Sequence, residues 1–230
     1  MTEAYFELRN RENQKIVGFE NRPEENRPGL LVPIIICHGF KGYMDQAGLV
    51  LLGKILCDLG YAVFRFDFTN GIGRSEGKIK DCTVSHYVED LLSIVDYVSR
   101  QPGLSLDKLS VFGTSMGGLV SVIAAERESR IKQLVIHSAA LDWNIIRKHP
   151  ELVDWKEGES VRFVSRNKGF EFDVDFNLIT DGLKYDAFNI LSRIKIPTLI
   201  MHSEKDEAIP LEFSERAFNK SASVKKELFV

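Results

Sequence analysis

The run VFGTSMGGLV, residues 111–120, sets a serine between glycines at the point where an apolar run gives way to a helical pattern. Gly113 and Gly117 stand two residues to either side of Ser115, the G-x-S-x-G spacing of a nucleophile elbow. A corner that tight needs small flanking residues, and it aims the hydroxyl into the crevice above the preceding strand. A helix starting at Met116 points its N-terminus at the same spot, where its partial positive charge and free amides favour an anion. Ser115 is therefore the candidate nucleophile for attack on a carbonyl, with the Met116 N–H as the first donor to an oxyanion. The competing reading is a tight glycine turn that carries a passive serine. No His or Cys pair has metal-ligand spacing, so neither a metal nor a cofactor is expected.

Such a corner needs a buried strand before it and a helix after it, and the chain supplies that alternation throughout. YFELRN (5–10) and KIVGFEN (15–21) read as an N-terminal hairpin, followed by a loop in RPEENRPG (22–29). VPIIIC (32–37) is a continuous apolar run, as expected of a strand buried on both faces. Asp45 can cap a helix with Leu49, Leu52, Leu56 and Leu59 on one face, ending at Gly60, and YAVFRFDF (61–68) follows as a strand. Val84, Tyr87, Val88, Leu91, Val95 and Val98 give a helical period that stops before Pro102.

KLSVFG (108–113), a helix over 116–127 and IKQLVIHSAA (131–140) form another strand, helix and strand. The pattern resumes with a helix over 186–193, the strand IPTLIMHS (196–203), a helix over 211–219 and a final strand in KKELFV. The prediction is an α/β fold: a doubly wound, mostly parallel sheet whose core comprises residues 1–141 and 186–230. Residues 142–185 interrupt the alternation with 44 residues, far more than the usual connection, and read as a small inserted cap. In it, WNIIRKHPELVDW suggests short helices, and VRFVSRNKGFEFDVDF alternates around Asn167-Lys168-Gly169 as a hairpin.

Composition narrows the function classes. The chain has 230 residues, is 44% hydrophobic and 27% charged, and can bury a full core as one domain. A net charge of −3 without a Lys/Arg cluster argues against a nucleic-acid partner. MTEAYFELRN lacks the pattern of a signal peptide, and no apolar run approaches a membrane span. Three cysteines, Cys37, Cys57 and Cys82, fit small core or surface residues in a reducing compartment better than a disulfide framework. A cytoplasmic location follows as the expectation.

Several motifs, in order along nearly the whole chain, resemble the α/β-hydrolase superfamily. His38-Gly39-Phe40 after VPIIIC resembles its HGF-type oxyanion loop, which implies Phe40 N–H as the second oxyanion donor. Asp67, Gly71, Gly73, Ser75 and Gly77 are similar to a family loop that shapes the pocket wall and does no chemistry. HSEKDEAIP (202–210) resembles the segment carrying the triad acid, which implies Asp206. Asp142 is the rival acid, with a helix N-cap as its simpler role.

Family order places the catalytic histidine after the last strand, and none of His38, His86, His137, His149 and His202 fits that position. His202 is nearest in sequence to Asp206, but strand-end packing with a ring hydrogen bond is preferred for it and for His38. The base is expected beyond Val230, with this chain lacking the last part of the fold. The cap resembles that of the cinnamoyl and feruloyl esterase branch, and of monoglyceride-lipase and serine-aminopeptidase relatives. Trp143 and Trp155 can either line an acyl pocket or pack the cap. The resemblance implies a serine carboxylesterase acting on small-molecule esters of small to medium acyl groups through an acyl-enzyme, with a homo-oligomer allowed. The alternatives are a serine aminopeptidase or acylpeptide hydrolase, and a non-catalytic binding protein on the same scaffold.

Overall fold

The computed structural model describes residues 1–24, 29–149, 152–165 and 168–230. Part of the 22–29 loop, Pro150 and Glu151, and Asn167 of the hairpin turn lie outside the described residues. Eight strands form one sheet in the order β1-β2-β4-β3-β5-β6-β9-β10. They are β1 (Thr2–Arg9), β2 (Lys15–Arg22), β3 (Pro33–Cys37), β4 (Ala62–Asp67), β5 (Ser110–Thr114), β6 (Gln133–His137), β9 (Thr198–Met201) and β10 (Lys226–Phe229). The N-terminal hairpin joins antiparallel to β4, and every pairing from β4 through β10 is parallel.

Helices cover both faces. On one, α1 (Ala47–Asp58) packs Leu49 and Cys57 onto Ile34, Ile36 and Val63. On the other, α2 (Val84–Val98) and α3 (Met116–Arg127) bury a continuous core with Ile35, Phe64, Val111, Leu134 and Ile136. β3 and β4 are buried along their whole length, which is why their sequences read as unbroken apolar runs. The exceptions are Arg65 and Asp67 in β4, and Arg65 is buried but donates to Met44 O and Glu3 Oε2, both at 2.8 Å.

Asp45 does not cap α1, contrary to expectation. Gln46 occupies the capping position without a side-chain bond, and Asp45 is drawn instead to Arg74 and, at 3.8 Å, to Arg65. One buried cation, Arg65, and one exposed cation, Arg74, outcompete one backbone amide for that carboxylate. The strand expected over 131–140 ends at His137, because Ser138 turns to φ 43°. Between β6 and α6 (Ala187–Leu191) the chain forms α4 (Trp143–Ile146), the hairpin of β7 (Ser160–Ser165) with β8 (Phe170–Asp175), and α5 (Asn177–Gly182). Then α7 (Leu211–Lys220) links β9 to β10. Among the described residues, no helix is long and apolar enough to cross a membrane.

Candidate active site

Parallel pairing brings four strand ends into one row. The register sets Cys37 beside Gly113, Thr114 beside His137, and His137 beside Met201. The residues that follow, 38–40, 115, 138 and 202–206, therefore crowd the carboxyl edge of the sheet, where open α/β sheets form ligand crevices.

Ser115 joins β5 to α3 at φ 53° and ψ −122°. That conformation costs a non-glycine residue on the order of 1–3 kcal/mol and persists only when the surroundings impose it. Here the Ser115 N–H donates to His137 O, and its carbonyl accepts from the Gly118 and Ala140 amides, each at 3.0 Å. A Cβ on Gly113 would lie 2.3 Å from Gly117 O, and one on Gly117 would lie 2.4 Å from His38 O. The elbow closes only because both positions are bare.

The Ser115 hydroxyl caps nothing in α3, and Met116 opens the helix, where an amide has no intrahelical acceptor. The 38–42 loop passes directly over the serine: a Cβ on Gly39 would lie 2.8 Å from Ser115 Cβ and 3.3 Å from its Oγ. Phe40, Ser115 and Met116 line one cavity of about 160 Å³, otherwise walled mainly by apolar side chains that include Trp143, Trp155 and Phe163. The two tryptophans both belong to the core cluster and line the cavity, so the two roles weighed for them coexist.

Asp67 anchors the loops around this edge. Its carboxylate accepts from the Met44 and Arg74 amides at 2.7 Å each, tying the segment after the 38–42 turn to the 67–77 loop.

Asp206 lies in the loop after β9, and its Oδ1 accepts from the Ala208 and Ile209 amides, both at 3.0 Å. Partial burial raises the pKa of this carboxyl, but the Ser138 hydroxyl beside it and these two amides outweigh burial and hold it below 3.8. Among the described residues the Ser138 hydroxyl has no partner within hydrogen-bond geometry, so the amides are the firmer anchor. Ala208 and Ile209 reach the Ser115 cavity, which brings the Asp206 loop to the same chamber. Asp142 is occupied otherwise: it caps α4 at the Asn144 amide and pairs with Arg216, at 3.1 and 3.0 Å.

The imidazoles sort cleanly. His202 is buried, with Nε2 donating to Ile209 O at 3.0 Å and Nδ1 accepting from the Ser214 hydroxyl at 2.7 Å, so both nitrogens are committed to packing. His38 sits with Nδ1 2.9 Å from Gly39 O and Nε2 accepting from the Phe68 amide at 3.3 Å. Burial pushes its pKa below 6.5 although Asp67 acts in the opposite sense. His137 bonds Thr114 at 3.1 Å, and burial lowers its pKa too, against the pull of Asp206. His86 stands in the first turn of α2, near Asp81 O. His149 alone among the described histidines lines the Ser115 cavity, which its place in a 44-residue irregular segment had hidden. The cysteines are buried, and burial pushes Cys37 and Cys82 up to about 12, which removes them as nucleophiles.

A mostly parallel sheet with a strand–serine–helix corner at its carboxyl edge defines the chain as an α/β-hydrolase. Residues 32–168 match the serine aminopeptidase family S33, and the chain belongs to that family. Its fold is similar to that of Est1E from Butyrivibrio proteoclasticus, solved with bound ferulic acid, with a TM-score of 0.84 at 24% identity over 97% of this chain and 88% of that one. In sequence it is 27% identical to the mitochondrial palmitoyl-protein thioesterase ABHD10 of Mus musculus over 79% of this chain, and it spans 61% of that protein's length. It is also 35% identical to an acyl transferase of Photorhabdus luminescens over 52% of this chain and 36% of that one.

Proposed function

We propose that the chain is a serine carboxylesterase that cleaves esters of small to medium acyl groups through an acyl-enzyme. One observation carries the reading: a strained serine, with its hydroxyl uncommitted to the helix, stands at the head of α3 in an apolar chamber shared with Phe40 and the Asp206 loop. In this reading Ser115 attacks the carbonyl carbon, and the Phe40 and Met116 amides hold the oxyanion. Asp206 orients an imidazole that takes the serine proton and returns it to the leaving alcohol. The rings of His38, His137 and His202 are engaged in packing, and His149, which lines the cavity, is the imidazole whose part as that base the His149→Ala variant decides. Residues 142–185 act as a cap that shapes the chamber.

The chamber limits the acyl group. An apolar cavity of ~150 Å³ holds a molecule of benzene's size, so about 160 Å³ suits a short, branched or single-ring acyl group and not an extended fatty chain. The thioesterase relative supports a thiol as a second leaving group for the same attack. A fluorophosphonate probe tests the assignment. It should label Ser115 alone, and labelling that survives Ser115→Ala removes the nucleophile.

A further inference from the structure

The stretch that carries Phe40 is anchored in the core at its two ends, and the cap grips it in between. At one end the Gly42 amide closes onto Gly39 O at 3.0 Å, beside Ser115; at the other the Met44 amide donates to Asp67 at 2.7 Å. Phe40 and Tyr43 belong to this stretch, and both rings meet the β7–β8 hairpin. Phe40 meets Phe163 of β7 edge to face at 5.3 Å, and the Lys168 ammonium, from the hairpin turn, lies 4.3 Å from the Tyr43 ring centroid. The same ammonium donates to Ile72 O at 2.7 Å. Ile72 lies in the 67–77 loop, whose Arg74 amide shares the Asp67 carboxylate with Met44.

One side chain thus joins three segments that are distant in sequence: the cap hairpin, the 38–44 stretch and the 67–77 loop. A cation over a ring face and a charge-assisted bond to a carbonyl act together there, each stronger than an ordinary surface contact. The hairpin fixes the lysine on its own side, because the Gly169 amide returns to Ser165 O at 2.7 Å with Gly169 at φ 69°. Phe40 and Phe163 stand between the apolar chamber of about 160 Å³ and an open, more polar cleft of about 950 Å³, and Lys41 and His149 also line both. Lys168 is not among the described residues that line either space, so it reaches the site only through Tyr43 and Ile72.

We propose that Lys168 is a positioning residue for the oxyanion loop: it clamps the cap hairpin onto Tyr43 and Ile72 and so holds the Phe40 amide over Ser115. The cap then governs the rate of attack as well as the choice of acyl group. This rests on the esterase reading, in which the Phe40 N–H is an oxyanion donor whose value depends on its distance from the developing charge.

Lys168→Met keeps a stem over Tyr43 but removes the charge and the donor. Amide exchange in the peptide 39–46, followed by mass spectrometry, should quicken about tenfold as the turn opens more often. The rate of Ser115 labelling by a fluorophosphonate should fall about tenfold. Lys168→Arg should keep wild-type values in both, since a guanidinium also stacks on a ring and donates to a carbonyl. Lys80→Met is the control: it breaks the 3.6 Å pair with Asp175, a second tie of the same hairpin through residues outside the 38–44 and 67–77 loops, and should change neither. Unchanged exchange in Lys168→Met overturns the inference, as does an equal effect of Lys80→Met or, where the wild type labels, an unchanged labelling rate. A Ser115 that resists the probe in the wild type, with exchange quickened in Lys168→Met and not in Lys80→Met, refutes the hydrolytic reading and upholds the clamp.

Discussion

Gly117→Ala tests whether the elbow and the oxyanion loop form one tightly fitted unit. The added methyl would lie 2.4 Å from His38 O and 2.6 Å from Cys37 O, about 1 Å inside ordinary contact, and both obstacles are backbone at the end of β3. Relief requires that α3 and the 38–42 loop move apart, which separates the Met116 amide from Phe40. Overpacking of this kind costs about 1–3 kcal/mol, so Tm should fall by roughly 3–10 °C for a chain of this size. A misplacement of ~1 Å in a catalytic constellation costs about 100-fold in rate, to be read from the rate of Ser115 labelling by a fluorophosphonate. Gly48→Ala is the control: it lies exposed in α1 with nothing within 4 Å of its added methyl. That change should raise stability by about 0.5–1 kcal/mol through helix propensity and leave labelling unchanged. If Gly117→Ala melts with the wild type and labels at the same rate, the tight-elbow argument fails.

Three further outcomes are expected. Asp90 is buried in α2 among donors from Asn10 and Thr69, and burial moves its pKa from 3.8 to about 6. Because the folded state holds this proton more tightly than the unfolded chain, its contribution is full below pH 4 and is lost as pH rises through 6. Urea melts should show a loss of roughly 2 kcal/mol between pH 4 and 7 from this group, which is absent in Asp90→Asn; parallel pH profiles for the two proteins would contradict it. In p-nitrophenyl ester assays, kcat/KM should peak at butyrate or benzoate, and a rate for palmitate equal to that for butyrate would refute the chamber-size argument. His149→Ala should leave Ser115 labelling in place whereas Asp206→Asn slows it, by up to ~10⁴-fold if the acid sets the tautomer of the base. The reverse pattern would make His149 the base.

Much of this protein is determined by local sequence. Strand-to-helix alternation, the elbow around Ser115 and the α3 span over 116–127 are all visible in the chain, because each rests on short-range periodicity or on backbone sterics that only glycine relieves. The hairpin of β7 and β8 is legible in its alternation for the same reason. What tertiary structure alone decided is which charged and polar groups find each other. Asp45 looks like a helix cap until Arg65 and Arg74 arrive from β4 and the following loop. For His202 the sequence favours strand-end packing, but only the structure names Ser214 and Ile209 as the partners of its two nitrogens. His149 and Lys41 lie 108 residues apart in sequence and line the same two cavities only because the chain between β6 and α6 folds back over the carboxyl edge of the sheet. Such pairings depend on long-range geometry and on competition among partners for the same donor or acceptor, and neither leaves a periodic trace in the residues themselves.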